Sequence, residues 1–454
     1  MGAVRVRQPC GLAVCIAAML AIALPAWAQT ERPGVINAPA AAEDSASRKT
    51  KSRRAEAPKR PAAPAVEEKE SRHIGKSHVR LRKHAKHIKK TQERDDEDDY
   101  TRFVEKLKND YHLKVLLSPS VMTQWGSPDG GPAATQVVVS PVVSWQAFKS
   151  SLGDGTFDFA YLSNRYYAAG QSGASLTGRL NLLSPINDQP VSNRTFNQLT
   201  YSHDFPGDVV LVGVGQFTLS NYDTNSYAGN YQTGFINYAL SQNASQTYPV
   251  ASLGAFAQVT LVPKTLEVVA GYQDANNVSG NNIQTATAAA GAYTTFAYVQ
   301  WTPKFPGLHD AQYSLLYYHQ PAVLLQPAAS DGWSFNATQD LDDHWAVFMR
   351  ANATTGPLSP IKDSIGAGFV YKDVLERQHD NDQIGVALSR NSANMDFFGA
   401  RNVRAHEWLV EAYWNTLIWR HFIVGPDVQV YIDPALNPGQ SFVQVYTIRL
   451  TGLF

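Results

Sequence analysis

The amino-acid sequence predicts an all-β protein, a transmembrane antiparallel β-barrel of about 16 strands, with 18 as the alternative count. Features at the two chain ends lead to this prediction: a final segment that alternates apolar and polar residues, and an initial segment with the pattern of a secretory leader. In the final segment Tyr446, Ile448 and Leu450 lie on one face of an extended strand and Arg449 lies on the other. A period of two suits a strand between an apolar surrounding and a wet interior.

The last residue, Phe454, is aromatic and continues the apolar face. A terminal strand of this kind resembles the closing strand of bacterial outer-membrane β-barrels. The resemblance implies that the barrel insertion machinery reads Phe454. On the tail alone, an ordinary sandwich strand remains the alternative.

Residues 1–28 have the pattern of a secretory signal peptide. Arg5 and Arg7 precede an apolar stretch over 11–24, and residues 26–28 (Ala-Trp-Ala) form a small-x-small cleavage site. Both cysteines, Cys10 and Cys15, lie inside this segment, so the mature chain would contain none. Neither disulfides nor thiolate chemistry are then expected.

Beyond the leader, no stretch offers the roughly 18 consecutive apolar residues that a membrane helix needs. A secreted chain of this kind can still cross a membrane as a closed barrel, because closure satisfies every backbone polar group internally. The predicted location is therefore the cell outer membrane, in contact with its lipid.

The net charge of zero conceals two opposite halves. Residues 48–94 hold 17 Lys+Arg and 5 Asp+Glu, a net charge of +12, and residues 95–454 hold 19 basic and 31 acidic residues, a net charge of −12. Residues 29–99 are rich in Ala, Pro and Lys and almost lack aromatics, which predicts a disordered basic periplasmic extension. It is interpreted as a solvated extension, with contact to an anionic cell-wall or lipid surface as the functional alternative.

Neither nucleic acid nor a metal is an expected partner, and no cofactor is predicted. A secreted chain does not ordinarily meet nucleic acid, and the lysines interspersed over 83–90 would repel a cation. After the extension, Phe103, Val104, Leu107 and Tyr111 have helical spacing, which predicts a short amphipathic helix over 100–112.

The barrel is predicted over residues 113–454, where short alternating runs recur between clusters of Gly, Pro, Asn and Asp. The sequence offers 17 candidate strands. Because a bacterial single-chain barrel is expected to have an even number of strands, 16 is favoured. The candidate strands are 115–123, 135–145, 156–163, 175–183, 196–203, 209–218, 251–262, 265–273, 294–302, 312–319, 333–339, 345–351, 365–372, 383–390, 406–414, 421–432 and 441–454.

Several segments after residue 237 resemble the carbohydrate-selective porins of the OprB type. They are Tyr-Pro and Leu-Gly-Ala within 237–255, Ala-Gly-Tyr-Gln-Asp within 266–277, Gly-Trp-Ser at 332–334 with the run 345–350, and Glu-Ala-Tyr-Trp at 411–414 with 426–431 and Asn-Pro-Gly at 437–439. Their order is preserved over about 220 residues. At Gly215-Gln216-Phe217 the chain departs from the family, which tends to carry a basic residue there.

The resemblance implies an outer-membrane porin, a passive diffusion channel for small hydrophilic solutes such as sugars or polyols. An outer-membrane barrel hydrolase and a noncatalytic exporter or assembly component are the alternatives. Ser202, His203 and Asp204 are adjacent and therefore point in different directions, which disfavours a catalytic relay. No catalytic residue is predicted, and whether the barrels form a homotrimer stays open.

Strand parity predicts which charged and polar side chains face the lumen. If the apolar face of each strand is outward, the alternate residues face inward, because a lipid-facing charge costs about 2–4 kcal/mol at the bilayer midplane. The predicted channel-lining residues are Arg179, Glu267, Arg350, Glu407, Glu411, Asp427, Gln429 and Arg449. Each could contact a solute or serve only as a polar wall residue.

The basic extension gives a prediction that does not depend on the barrel. Removing residues 29–95 should leave the barrel folded and conducting but reduce its retention on purified cell-wall sacculi, because the basic extension would be attracted to an anionic surface. This retention should weaken with salt, since exposed charges are screened within about 8 Å at physiological ionic strength. Pull-down on sacculi at increasing salt measures this. Equal retention of the truncated and full-length chains would contradict it.

Overall fold

The computed structural model describes residues 99–454, apart from 129–130, 168–170, 224, 377–381 and 420. The predicted signal peptide and the basic extension up to residue 98 lie outside the described residues. Within the described part, no helix is long and apolar enough to cross a membrane.

The described chain forms one closed antiparallel barrel of 16 strands. The first two strands each consist of two collinear segments, which are separated by Ser118 and Pro119 in the first strand and by Ser140 in the second. The strands are β1 (Leu113–Leu117 and Ser120–Ser127), β2 (Ala134–Val139 and Pro141–Ser150), β3 (Gly153–Tyr166), β4 (Asn193–Asp204), β5 (Val210–Phe217), β6 (Ser252–Val262), β7 (Leu266–Asp274), β8 (Tyr293–Trp301), β9 (Ala311–Gln320), β10 (Ser330–Asp340), β11 (Trp345–Thr354), β12 (Ile361–Lys372), β13 (Gln383–Ala393), β14 (His406–Trp419), β15 (Phe422–Ile432) and β16 (Phe442–Gly452).

The helices are short and lie outside the sheet. They are α1 (Asp99–Tyr111), α2 (Gly173–Leu180), α3 (Tyr238–Ser241), α4 (Thr285–Ala288) and α5 (Met395–Phe398), with a 3-10 turn at Leu219–Tyr222. Helix α1 lies where the sequence predicts an amphipathic helix. It precedes β1, and the Tyr100 ring lies 5.6 Å from the Phe454 ring.

Sixteen of the candidate strands each fall on one of the 16 strands, and the candidate 175–183 is wrong. Residues 175–180 of that candidate belong to α2, whose first turn is closed by a capping box between Ser172 and Ser175. Asn181 ends the helix in the left-handed conformation. No strand could fit there, because β3 pairs directly with β4 from Asp154↔Asp204 to Asn164↔Asn193.

Pairing of the last strand with the first closes the barrel. Strand β16 pairs with β1 from Gln444↔Ser127 to Thr451↔Ser120. Phe454 extends the seam, since its N–H donates to the Leu117 carbonyl at 3.0 Å and its carbonyl accepts from the Leu117 N–H at 2.8 Å. Its ring is 7% exposed, because Tyr100, His421 and Phe422 surround it.

The two ends of the barrel differ. The end that holds α1 and the C-terminus, here called the turn end, has the connections 151–152, 205–209, 263–265, 302–310, 341–344, 373–382 and 420–421. At the turn after β10, the Asp342 carboxylate accepts the N–H groups of Trp345 at 2.6 Å and His344 at 2.8 Å, which hold its pKa below the usual range. The opposite end, the loop end, has the longest connections, loop A (167–192) and loop B (218–251).

Outside and inside are inverted relative to a water-soluble protein. Large apolar side chains point outward and stay exposed, among them Trp333 at 41%, Trp345 at 41% and Trp408 at 39%. The alternate positions point inward and carry polar groups, as with Ser334 and Glu407. An apolar exterior over a polar interior is the pattern of a transmembrane barrel.

Deletion of Leu450–Phe454 should reduce the amount of folded, heat-modifiable barrel much more than it alters the conductance of any channels that form. The deletion removes the end of the seam between β16 and β1 and exposes an unpaired strand edge. Gel mobility of membrane fractions with and without heating measures the folded yield. A normal folded yield in the deletion variant would sink this idea.

Candidate functional site

Loops A and B fold back into the barrel and pack against its inner wall. Every residue from 234 to 252, at the end of loop B, is buried. Leu182, Leu183 and Ile186 of loop A are each 4% exposed or less. The lumen is therefore occupied by chain segments that come from the loop end.

Two carboxylates on β14 hold these loops through backbone N–H groups. Glu407 accepts from Leu183 at 2.8 Å and from Ser184 at 2.9 Å, both in loop A. Glu411 lies four residues further along the same face of β14. It accepts from the N–H groups of Ile236 and Asn237 of loop B, the latter at 3.1 Å. Each loop is therefore attached to the wall by backbone hydrogen bonds to a buried carboxyl group.

Two inward-facing arginines hold loop B from other sides. Arg449 donates to the Tyr231 carbonyl, to the Gly234 carbonyl at 2.9 Å and to Asn415 at 2.8 Å. The carbonyls point at the guanidinium because loop B turns tightly over 230–234. All of these contacts are shielded from water, since Arg449 is 2% exposed.

Arg350 on β11 contacts loop B at two further positions, Asp223 and Leu240. It donates to Asn336 at 2.8 Å and to the Leu240 carbonyl at 3.3 Å, and it forms an ion pair with Asp223 at 3.4 Å. Asp223 also accepts from Asn336 at 2.6 Å. Arg350 is 1% exposed, so its charge is balanced inside the wall and does not face water.

The structure places the predicted channel-lining residues as follows. Glu407, Glu411, Asp427, Gln429, Arg350 and Arg449 all lie on inward faces of strands, yet each is 5% exposed or less. Their inward direction agrees with strand parity, but loops A and B cover this part of the wall, so these six side chains do not line open space. Gln429, for example, donates to the Ile186 carbonyl at 2.9 Å.

The other two predicted residues differ from these six. Arg179 lies on α2 instead of a strand, and it donates to the Pro132 carbonyl at 2.8 Å. Glu267 on β7 lines an open cavity. Among the predicted set, it is the one that the structure places at the surface of this cavity.

The open cavity has a volume of about 990 Å³ and lies on the side of β1 to β8. It extends from the turn end, where Asp208 and Lys264 lie in connecting turns, to Phe217 and Tyr222 near loop B. Its charged residues are Lys108, Lys114, Lys264, Asp154, Asp158, Asp204, Asp208 and Glu267, and His112 lies at its edge. Amide and hydroxyl groups fill the spaces between them, including Gln198, Ser202, Asn221, Gln258 and Gln300.

An aromatic cluster forms the wall of the cavity beside loop B. The Tyr222 ring stacks on Phe296 with centroids 5.1 Å apart and an angle of 28° between planes. Phe256 lies 5.9 Å from Tyr222, and Tyr298 lies 5.5 Å from it. Asn221 donates to Gln198 at 3.4 Å, which places amide groups next to these rings.

Parity on the predicted strands would have found several of these residues. Asp158 alternates with Phe157 and Phe159, and Gln258 alternates with Ala257 and Val259, so both are inward by the same rule that selected Glu267. Tyr222 could not be found in this way, because it belongs to a loop and reaches the lumen only when loop B folds inward.

The adjacent residues Ser202, His203 and Asp204 do not converge on one point. Ser202 and Asp204 line the cavity, whereas His203 points away from it, with its ring nitrogens 3.1 Å from the Tyr201 hydroxyl and 3.1 Å from the Leu152 carbonyl. The described chain also contains no group of three or more His, Cys, Asp or Glu side chains that could hold a metal ion.

Comparison with known proteins identifies similar chains. The family model described as "Carbohydrate-selective porin, OprB family" matches residues 162–452. Porin AaxA of Chlamydia felis is 32% identical over 358 residues, which cover 77% of this chain and 80% of that protein. Porin AaxA of Chlamydia pneumoniae is 34% identical over 357 residues, covering 76% and 80%. The structure of Pseudomonas putida OprB has a TM-score of 0.65 at 16% identity and covers 78% of this chain and 97% of its own, a likeness of fold.

Loss of a buried loop attachment should loosen loop B and leave the barrel itself folded. Arg449→Met removes donors from two loop carbonyls, and each buried group left without a partner costs about 1–3 kcal/mol. We expect chymotrypsin to cut the variant near Tyr231 and Phe235, with increased fluctuation of the ion current.

The matched control is Glu267→Gln, which changes a charge in the open cavity. Both variants should keep heat-modifiable mobility. If Arg449→Met resists chymotrypsin as well as Glu267→Gln does, Arg449 does not hold loop B.

Proposed function

The chain belongs to the OprB family of carbohydrate-selective porins, and we propose that it is a passive outer-membrane diffusion channel for small neutral hydrophilic solutes, carbohydrates foremost. Members of this family are channels and not enzymes. With this location, the turn end faces the periplasm and the loop end faces the outside, since short turns are periplasmic and longer loops extracellular in such barrels.

The observation that supports carbohydrates is the pairing of aromatic faces with amide and carboxylate groups in one cavity. Tyr222 and Phe256 offer ring faces, and Asn221, Gln198 and Asp158 lie among the same lining residues. Carboxylate and amide groups can replace the water that sugar hydroxyls lose on entering a narrow pore. Aromatic faces can accept the apolar face of a sugar ring.

The inner loops support selectivity by size. Loops A and B pack against β10 to β16 and also against the loop-end parts of β1 and β3, and they leave a cavity that is lined mainly by β1 to β8. Their attachments are buried hydrogen bonds to the wall, which hold the dimensions of the remaining cavity. A solute that enters this cavity would meet the wall that carries the aromatic cluster.

Removing the two cavity rings should weaken sugar binding during passage. We expect Tyr222→Ala combined with Phe256→Ala to raise the sugar concentration that half-blocks the ion current by roughly two- to tenfold, because ring contacts contribute about 0.5–1.5 kcal/mol. Single-channel recording with glucose and with longer oligosaccharides measures the block, and liposome swelling measures the uptake.

The matched control is Tyr272→Ala, which removes an outward-facing ring that is 47% exposed. It should leave the sugar block unchanged. Absence of any sugar-dependent block or uptake in the unmodified protein would overturn the carbohydrate assignment, and an unchanged block in the double variant would overturn the role of the rings.

A further inference from the structure

The turn end of the barrel is acidic on one side. Three neighbouring segments, 302–310, 341–344 and 373–376, are here called the acidic turns. They carry five Asp and Glu residues and one Lys, a net charge of −4 with histidine neutral. On the other side, the described residues of the connections 151–152, 205–209, 263–265 and 420–421 carry one Asp and one Lys, a net charge of zero.

The acidic turns present their charge to solvent. Their exposed carboxylates are Asp310, Asp342, Asp343 and Glu376. The contacts around them leave the net charge in place. Asp342 accepts only uncharged backbone N–H groups in the hydrogen bonds described above, and Lys372, at the adjoining end of β12, pairs with Asp340 at 3.3 Å and so adds no net charge.

The N-terminal extension joins the barrel at the same rim. Helix α1 begins at Asp99, and the Tyr100 ring lies 5.4 Å from the His421 ring and 5.6 Å from the Phe454 ring. Neighbouring strands are about 4.7–4.9 Å apart. The turn 341–344 is between β10 and β11, five to six strands from β16, which is roughly 25 Å along the rim.

A strongly basic part of the extension is long enough to reach these turns. Residues 72–94 hold nine Lys and Arg residues and one Glu, a net charge of +8. Thirteen residues separate Lys86, near the middle of this segment, from Asp99. An extended chain spans about 3.3–3.6 Å per residue, so Lys86 can lie up to roughly 45 Å from the start of α1.

Tethering makes weak charge contacts sufficient. A single exposed ion pair contributes only about 0.2–1 kcal/mol, but several act together here, and the linkage raises the effective concentration of the segment to about the millimolar range. The acidic run 95–99 adjoins the segment, but its five carboxylates do not neutralise nine cations. A surplus of positive charge therefore remains for the acidic turns.

We propose that residues 72–94 of the extension dock on the acidic turns of their own barrel, with Lys and Arg side chains against Asp310, Asp342, Asp343 and Glu376. This interaction goes beyond the channel function and does not depend on which solute passes. The same cations would contact an anionic cell wall, so docking and cell-wall contact compete for one segment.

The test is cross-linking within the full-length mature protein in neutral detergent, with a short bismaleimide. Both native cysteines lie in the predicted signal peptide, so introduced cysteines react alone. Lys86→Cys is combined either with Leu341→Cys, in an acidic turn, or with Leu152→Cys, in the uncharged turn between β2 and β3. The two leucines are 40% and 76% exposed.

Position 152 is the more accessible of the two and lies fewer strands from β16, so proximity alone favours it. Docking instead predicts that the product joining positions 86 and 341 forms at least about fivefold more, as expected from a few weak ion pairs. This preference should disappear as salt is raised, because exposed charges are screened.

Charge variants identify the surface. Asp310→Asn, Asp343→Asn and Glu376→Gln together should lower the yield of the product joining 86 and 341 at least about threefold. The matched control is Asp208→Asn, an exposed carboxylate on the other side of the rim, which should leave the yield unchanged. If the triple variant does not fold, Lys83→Gln, Lys89→Gln and Lys90→Gln change the segment instead and should give the same loss.

Equal cross-linking of position 86 to positions 341 and 152 would overturn the proposal, as would a yield that does not fall with salt. An unchanged yield in the charge variants would show that the acidic turns do not hold the segment. A product that appears only as a linked pair of chains on a denaturing gel would assign the segment to a neighbouring barrel and would also overturn docking on its own.

Discussion

The barrel depends on the requirement that no strand be left with an unpaired edge. In an apolar surrounding, an unsatisfied backbone group costs several kcal/mol, so the strands have to close on themselves. Here the closing contact joins β16 to β1, which are more than 300 residues apart in the chain. The alternation of side chains follows from closure, because every strand then has one face toward the exterior and one toward the lumen.

Closure creates an interior that is too wide for wall side chains to fill, and loops A and B use this space. Their backbone N–H and C=O groups enter a lumen where most wall positions are polar, so the wall can satisfy them. Glu407 and Glu411 accept N–H groups, and Arg449 donates to carbonyls. These polar residues of β14 and β16 thus fix the loops that occupy this part of the lumen.

The sequence predicted the barrel well, because alternation is a local property that each strand carries by itself. The prediction failed at 175–183, because these residues were interpreted as an alternating strand. Leu176 and Leu180 have helical spacing, and Ser172 and Ser175 form a capping box, which are both signals of a helix. It also predicted the inward direction of Arg350 and Glu411 correctly. It could not predict their burial, since the covering residues Leu240 and Ile236 lie more than 100 residues away in the chain. Long-range contact of this kind leaves no trace in the spacing of nearby residues.

The position of Tyr100 against Phe454 has a consequence for the order of events during assembly. The ring that resembles an insertion signal is the same ring that α1 covers, and it is 7% exposed once the barrel is closed. Phe454 cannot be offered to a recognition partner and be covered by Tyr100 at the same time. If insertion machinery reads Phe454, as the resemblance of the last strand predicts, α1 would settle against this ring only after the machinery has released the C-terminus.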